Sequence, residues 1–279
     1  MLRPSRIFSR YRYRYVLTSL DKQMHPLKVN LRTNEVYLQL PAPHESIIIT
    51  PPRMTDADAL IRIMNDPRIY KMLLDAPFPF LPTHAEVWLI AKKKRSDAVF
   101  DELKRSTGRN KRNNKNLGGA EDRQTSPLRY VGDCPVSILR EVQKDGSDIF
   151  IGYIGVFRCE RFEFLRDKEQ EDEFASRNEE FPVGSPKIIW EIGDYLSPSY
   201  HGRGIMTAAV RTIIHDWAVP QMNAHTIYGS TYSGNAASVR VFLKNGFKEF
   251  DFVDNCVKIR KSKGGGKAGV HFLVWRRPQ

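Results

Sequence analysis

The chain has 279 residues, with 44 Lys and Arg against 32 Asp and Glu, a formal charge of +12. Its 41% hydrophobic content suits a folded globular protein, and no apolar run approaches the ~20 residues of a membrane-spanning helix. The three cysteines, Cys134, Cys159 and Cys256, are odd in number and far apart, which argues against a disulfide framework or a metal site and for a reducing, cytoplasmic setting.

Residues 1–20 carry Arg3, Arg6, Arg10, Arg12 and Arg14 and no acid. This composition suits a mitochondrial transit peptide and equally a basic tail, so residues 1–45 are set apart as a basic N-terminal extension. Residues 46–50 read as a strand. Thr55 then caps a helix reaching Asn65, with Asp56 and Asp58 in its first turn. Thr83, with Glu86 three residues on, caps a second helix reaching about Leu103. Residues 104–130 form a basic, Asn- and Gly-rich insertion.

Residues 134–141 and 148–158 read as two strands joined by an Asp145-Gly146 hairpin turn. An acid-rich insertion occupies 159–186. Residues 187–196 read as a central strand that includes Ile188-Ile189-Trp190-Glu191-Ile192-Gly193-Asp194-Tyr195-Leu196. A helix over 206–219 follows, then a strand over 226–231. Asn235 caps a further helix through the N–H of Ser238, and Gly246 takes the left-handed position that ends it. Closing strands at 247–253 and 270–275 flank a third insertion, 258–269, which contains three consecutive glycines. The whole predicts a single domain over 46–279.

Between the central strand and its helix lies Tyr200-His201-Gly202-Arg203-Gly204-Ile205-Met206-Thr207. A helix start offers unpaired N–H groups and a partial positive charge, and glycines admit an anion close to the backbone. This is neither a Walker loop nor a dinucleotide fingerprint. Taken alone it is a generic phosphate cradle.

The loop at 201–206 and the segment Asn235-Ala236-Ala237-Ser238, followed by Phe242, Lys244, Gly246 and Phe247, together resemble the GNAT superfamily of acetyl-coenzyme A-dependent N-acetyltransferases. The opening Ile47-Ile48-Ile49-Thr50-Pro51-Pro52-Arg53-Met54-Thr55 and Asn65-Asp66-Pro67 look like the branch of bacterial ribosomal-protein N-terminal acetyltransferases. The resemblance implies an α/β (α+β) fold: a mixed, mostly antiparallel sheet flanked by helices and splayed between the fourth and fifth core strands. It implies acetyl-CoA as cosubstrate, no metal, and a primary amine as acceptor on a protein N-terminus, a lysine or a small molecule.

Carried over residue by residue, the coenzyme contacts fall on Tyr195, Leu196, Ser197, His201, Gly202, Arg203, Gly204, Ile205, Met206, Thr207, Asn235 and Ser238. His201 stands where Gln or Arg is usual, and Met206 where a small residue is usual. A carboxylate must deprotonate the amine; Glu191 is the first choice and Asp194 the second, on the opposite face of the strand. The helix position where many members carry a proton-donating Tyr is Phe242. The alternative is a catalytically weak or inactive coenzyme-binding interaction module. The basic segments suit transient contact with the ribosome or nucleic acid, without any recognition motif for it.

Overall fold

The computed structural model describes residues 25–73, 76–115, 130–160 and 168–278. The Arg-rich start and most of the 104–130 insertion lie outside the described residues.

Among the described residues nine strands form one sheet: β1 (Lys28–Val29), β2 (Val36–Gln39), β3 (Ile47–Thr50), β4 (Ile138–Val142), β5 (Asp148–Arg158), β6 (Ile189–Leu196), β7 (Thr226–Tyr232), β8 (Lys248–Lys258) and β9 (Lys267–Arg276). Their order is β1-β2-β3-β4-β5-β6-β7-β9-β8. Every neighbouring pair is antiparallel except β6 and β7. The mixed, mostly antiparallel sheet is the one expected, but it reaches further on both sides. Residues 28–39, set apart as an extension, pair onto the edge at β3, because Leu38 and Leu40 alternate into the core and are each 1% exposed. The closing strands meet in a tight hairpin, so 258–269 is only its turn.

The helices are α1 (Ala57–Met64), α2 (Pro67–Tyr70), α3 (Pro82–Lys115), α4 (Lys168–Glu180), α5 (Ile205–Thr212), α6 (Val219–Met222) and α7 (Ala236–Lys244). Leu60, Ile63 and Met64 of α1 and Ala85 and Leu89 of α3 cover one face of the sheet with Ile138, Phe150, Tyr153 and Tyr195. The other face buries Trp190, Ile192, Leu196, Ile227, Leu273 and Trp275 beneath α5–α7.

The caps differ from expectation. A 3-10 turn at Met54–Asp56 precedes α1, and Asp56, not Thr55, accepts the Arg53 N–H at 2.8 Å. At α3 the Leu81 N–H donates to His84 Nδ1 at 3.0 Å, and the helix starts at Pro82, whose missing N–H costs nothing there. It runs well past Leu103. The segment after α5 widens into a π-helical stretch, Ile213–Ala218, before α6 ends at Asn223 with φ 54°. The acidic insertion contains α4, anchored by Asn178. That buried side chain donates to the carbonyls of Cys159 (3.1 Å) and Ile189 (2.8 Å) and accepts from the Ile189 N–H (2.9 Å).

A buried ion pair ties α1 to the sheet. Arg140 on β4 donates to both carboxylate oxygens of Asp56 at 2.7 and 2.8 Å, and to Thr50 Oγ1 at 2.7 Å. Both ionic side chains are 3% exposed.

Candidate active site

β6 and β7 pair only at Ile189↔Thr226, Trp190↔Ile227 and Glu191↔Tyr228. Beyond Glu191, β6 stays paired to β5 through Leu196, and β7 stays paired to β9 through Tyr232. The two parallel strands therefore diverge, and residues 192–196 have no partner on the β7 side among the described residues. Phe242 of α7 sits behind β7, packed so closely that a Cβ on Gly229 would lie 3.0 Å from its ring. At 2% exposure, Phe242 is a core residue.

At the top of β6 the chain turns through Pro198–Tyr200, with Ser197 leading in and its N–H bound to Ile151 O at 2.7 Å. Gly202 (φ +75°) and Gly204 (φ +78°) take left-handed conformations that disfavour other residues. Gly204 caps α5 without any side-chain hydrogen bond, and the Ala208 N–H closes the first turn onto its carbonyl. The N–H groups of Ile205, Met206 and Thr207 thus lack intrahelical acceptors. Among the described residues a Cβ at Gly202 would meet nothing within 4 Å, so they leave the loop open to an incoming group.

His201 turns inward along the loop, its Nε2 at 2.7 Å from Leu196 O. Met206 does not shape the loop surface. With Ile205 it packs into the core beneath α5. Arg203 is exposed, its guanidinium 5.1 Å from the Tyr200 ring. The Thr207 carbonyl accepts from Asn245 Nδ2 at 3.2 Å, which links α5 to the end of α7. Asn235 accepts the Ser238 N–H at 3.2 Å, as its spacing predicts.

Glu191 and Asp194 lie on opposite faces. Glu191 is on the α1–α3 side, across from Phe157 and beside Tyr228 at the last parallel pair. Asp194 is on the α5 side, past the point of divergence. Its carboxyl makes no hydrogen bond among the described residues, and loss of hydration pushes its pKa up to about 7. Tyr195 returns to the α1–α3 face, stacks on Tyr153 at 5.7 Å, and has a buried hydroxyl with no partner among the described residues.

Four neighbours on that face have no signature in the sequence. Lys92 of α3 donates to Tyr153 Oη at 2.8 Å, and Gly155 and Gly193 pair directly across β5 and β6. Only a glycine inside an apolar strand hints at such a close approach.

A family model for the GNAT acetyltransferase domain matches residues 46–248. The chain belongs to the GNAT acetyltransferase family. The chain resembles the "Probable N-acetyltransferase YjcK" of Bacillus subtilis (strain 168), with 37% identity over 68 residues. That match is 24% of this chain and 37% of that protein, so the chain spans little more than a third of the curated relative. Among solved structures, a GNAT-family acetyltransferase from Bacillus anthracis is similar at a TM-score of 0.50 and 13% identity, over 86% of this chain and 98% of that one. The ribosomal-protein-S5-alanine acetyltransferase of Vibrio fischeri gives 0.50 and 16%, over 87% and 100%. At these identities the likeness is one of fold.

GNAT acetyltransferases use acetyl-CoA. The residues present fit that group: the open Gly202 cradle, the unpaired N–H groups of α5 and the exposed Arg203 suit a pyrophosphate, and the free edge at 192–196 suits an extended amide arm. No cluster of metal-ligating side chains exists among the described residues.

Proposed function

We propose that the protein transfers an acetyl group from acetyl-CoA to a primary amine by direct attack within a ternary complex. The observation that carries this reading is the divergence of β6 from β7 immediately below an uncapped, glycine-lined helix start. The bound thioester supplies an activated acetyl carbonyl. Backbone N–H groups of α5, with Arg203, hold the diphosphate, and the free edge at 192–196 orients the amide arm toward Glu191. A backbone N–H near Tyr195 or Leu196 faces the carbonyl oxygen as it gains charge. Glu191 takes the proton from the acceptor ammonium, directly or through one water. Phe242 has no proton to return to the thiol. That proton comes from solvent or from Asp194, which holds its own up to about pH 7.

We propose a protein N-terminus as acceptor, on the strength of the likeness of residues 47–67 to the ribosomal-protein N-terminal branch. The test combines acetyl-CoA thermal shift with thiol release from a panel of amines and peptides. Glu191→Gln should lower kcat at least about 100-fold while leaving acetyl-CoA stabilisation intact. Stabilisation without release from any amine would point to a binding module instead; neither response would sink the reading.

A further inference from the structure

Lys92 is the unexplained charge on the acceptor face. It projects from α3 onto β5, where its ammonium lies 4.8 Å from the Tyr153 ring centre and 5.6 Å from those of Trp88 and Phe157. Among the described residues only one of its three N–H donors is used, by Tyr153 Oη. No carboxylate lies within ion-pair distance of it among the described residues. Its charged neighbours are Arg95 on its own helix, Asp133 before β4 and Glu160 after β5, and Asp133 is already bound to Arg95 at 2.7 Å. Burial holds the Lys92 pKa down to about 8, with Arg95 adding to the effect and Asp133 and Glu160 opposing it.

A half-buried cation without a counterion is costly, and an anion that reaches it recovers that cost. A cavity of about 20 Å³, room for about one water, opens beside it between Arg95, Asp133, Tyr153, Gly155 and Phe157. Phe157, beneath the ammonium, is the direct cross-strand neighbour of Glu191. Lys92 and Glu191 therefore flank one aromatic ring, beside the Gly155–Gly193 pair, against which Tyr153 Oη and the Phe157 ring pack. Phe157 and Glu191, paired this way, sit about 5 Å apart at Cβ, so the Lys92 ammonium and the Glu191 side chain lie on one face against the same ring. The chain's charge of +12 attracts acidic partners as well.

We propose that Lys92 is a specificity-determining residue, its ammonium binding a carboxylate that the acceptor carries within a residue of its reacting amine. The acceptors are then acidic peptide N-termini. This rests on the acetyl-transfer reading and deepens it.

The experiment measures thiol release from paired peptides identical except for Glu or Gln at the second position. The wild-type protein should favour the Glu peptide about tenfold in kcat/KM, through KM. The preference should vanish in Lys92→Met and persist in Lys92→Arg. It should also decay as pH rises through about 8 in the wild type, and the shared amine cancels from the ratio. That pH decay decides the matter if Lys92→Met does not fold. Equal use of both peptides, or a preference unchanged in Lys92→Met, overturns this proposal alone. Release from other amines but from no peptide overturns this proposal alone; absence of release from every amine and peptide, with no acetyl-CoA stabilisation, overturns the acetyl-transfer reading and this proposal together.

Discussion

Gly155 and Gly193 stand directly opposite each other across β5 and β6, and they strip side chains from the face that carries Glu191. The two glycines are not equivalent. A Cβ at Gly155 would lie 2.2 Å from Tyr153 Oη, whereas one at Gly193 would lie 3.6 Å from Phe157, an ordinary contact. Gly155→Ala should therefore displace Tyr153 and destabilise the fold by about 1–3 kcal/mol. Gly193→Ala should keep its stability and raise the acceptor KM. Urea denaturation and steady-state kinetics on both variants check this; equal stability loss would contradict it.

Arg140→Met should destabilise the protein by about 3–5 kcal/mol, because it leaves the Asp56 carboxylate buried and unpaired. Replacing both partners by apolar residues should cost clearly less. Denaturant midpoints of the two single variants and the double variant measure the coupling.

Asp194 gives stability a pH signature. Its folded pKa of about 7 exceeds its ordinary value of 3.8, so between these values the folded state binds more protons than the unfolded chain. Its contribution to stability should fall as pH rises from about 4 to about 7 and stay level above that. Asp194→Asn should remove this component and be the more stable form at neutral pH. Melting temperatures from pH 4 to 8 for both proteins provide the comparison; parallel curves would refute it.

Arg203 and His201 should affect acetyl-CoA differently. Arg203→Ala, losing an exposed charge, should weaken binding about tenfold at low salt and less at high salt. His201→Ala removes the brace to Leu196 O and should weaken binding by a factor that salt does not change. Calorimetry at two ionic strengths separates the two outcomes.

What the sequence disclosed follows from the reach of its signals. The loop at 201–204 and the Asn235 cap were legible because glycines in left-handed conformations and Asx caps are local. The opposition of Glu191 and Asp194 followed from strand alternation alone. Lys92, Tyr153 and the glycine pair were illegible because they meet only through register between distant strands. The β1–β2 pairing was missed because four residues such as Val36–Gln39 carry too little pattern to stand out from a basic segment. Met206, carried over as a coenzyme contact at the helix start, turns its side chain into the core. The Asn178 anchor was hidden within a run of acids whose composition suggests surface.

Three residue pairs, ending at Glu191↔Tyr228, are all that join β1–β6 to β7–β9–β8. Mechanically the nine strands behave as two plates sharing a short hinge, with the remaining connection made by α5–α7 stacked behind them. Compliance is concentrated along that seam, so in the free protein amide exchange within β6 should be faster for the 192–196 N–H groups that face the gap than for those paired to β5. A molecule lying in the gap supplies the missing rung and stiffens both plates at once.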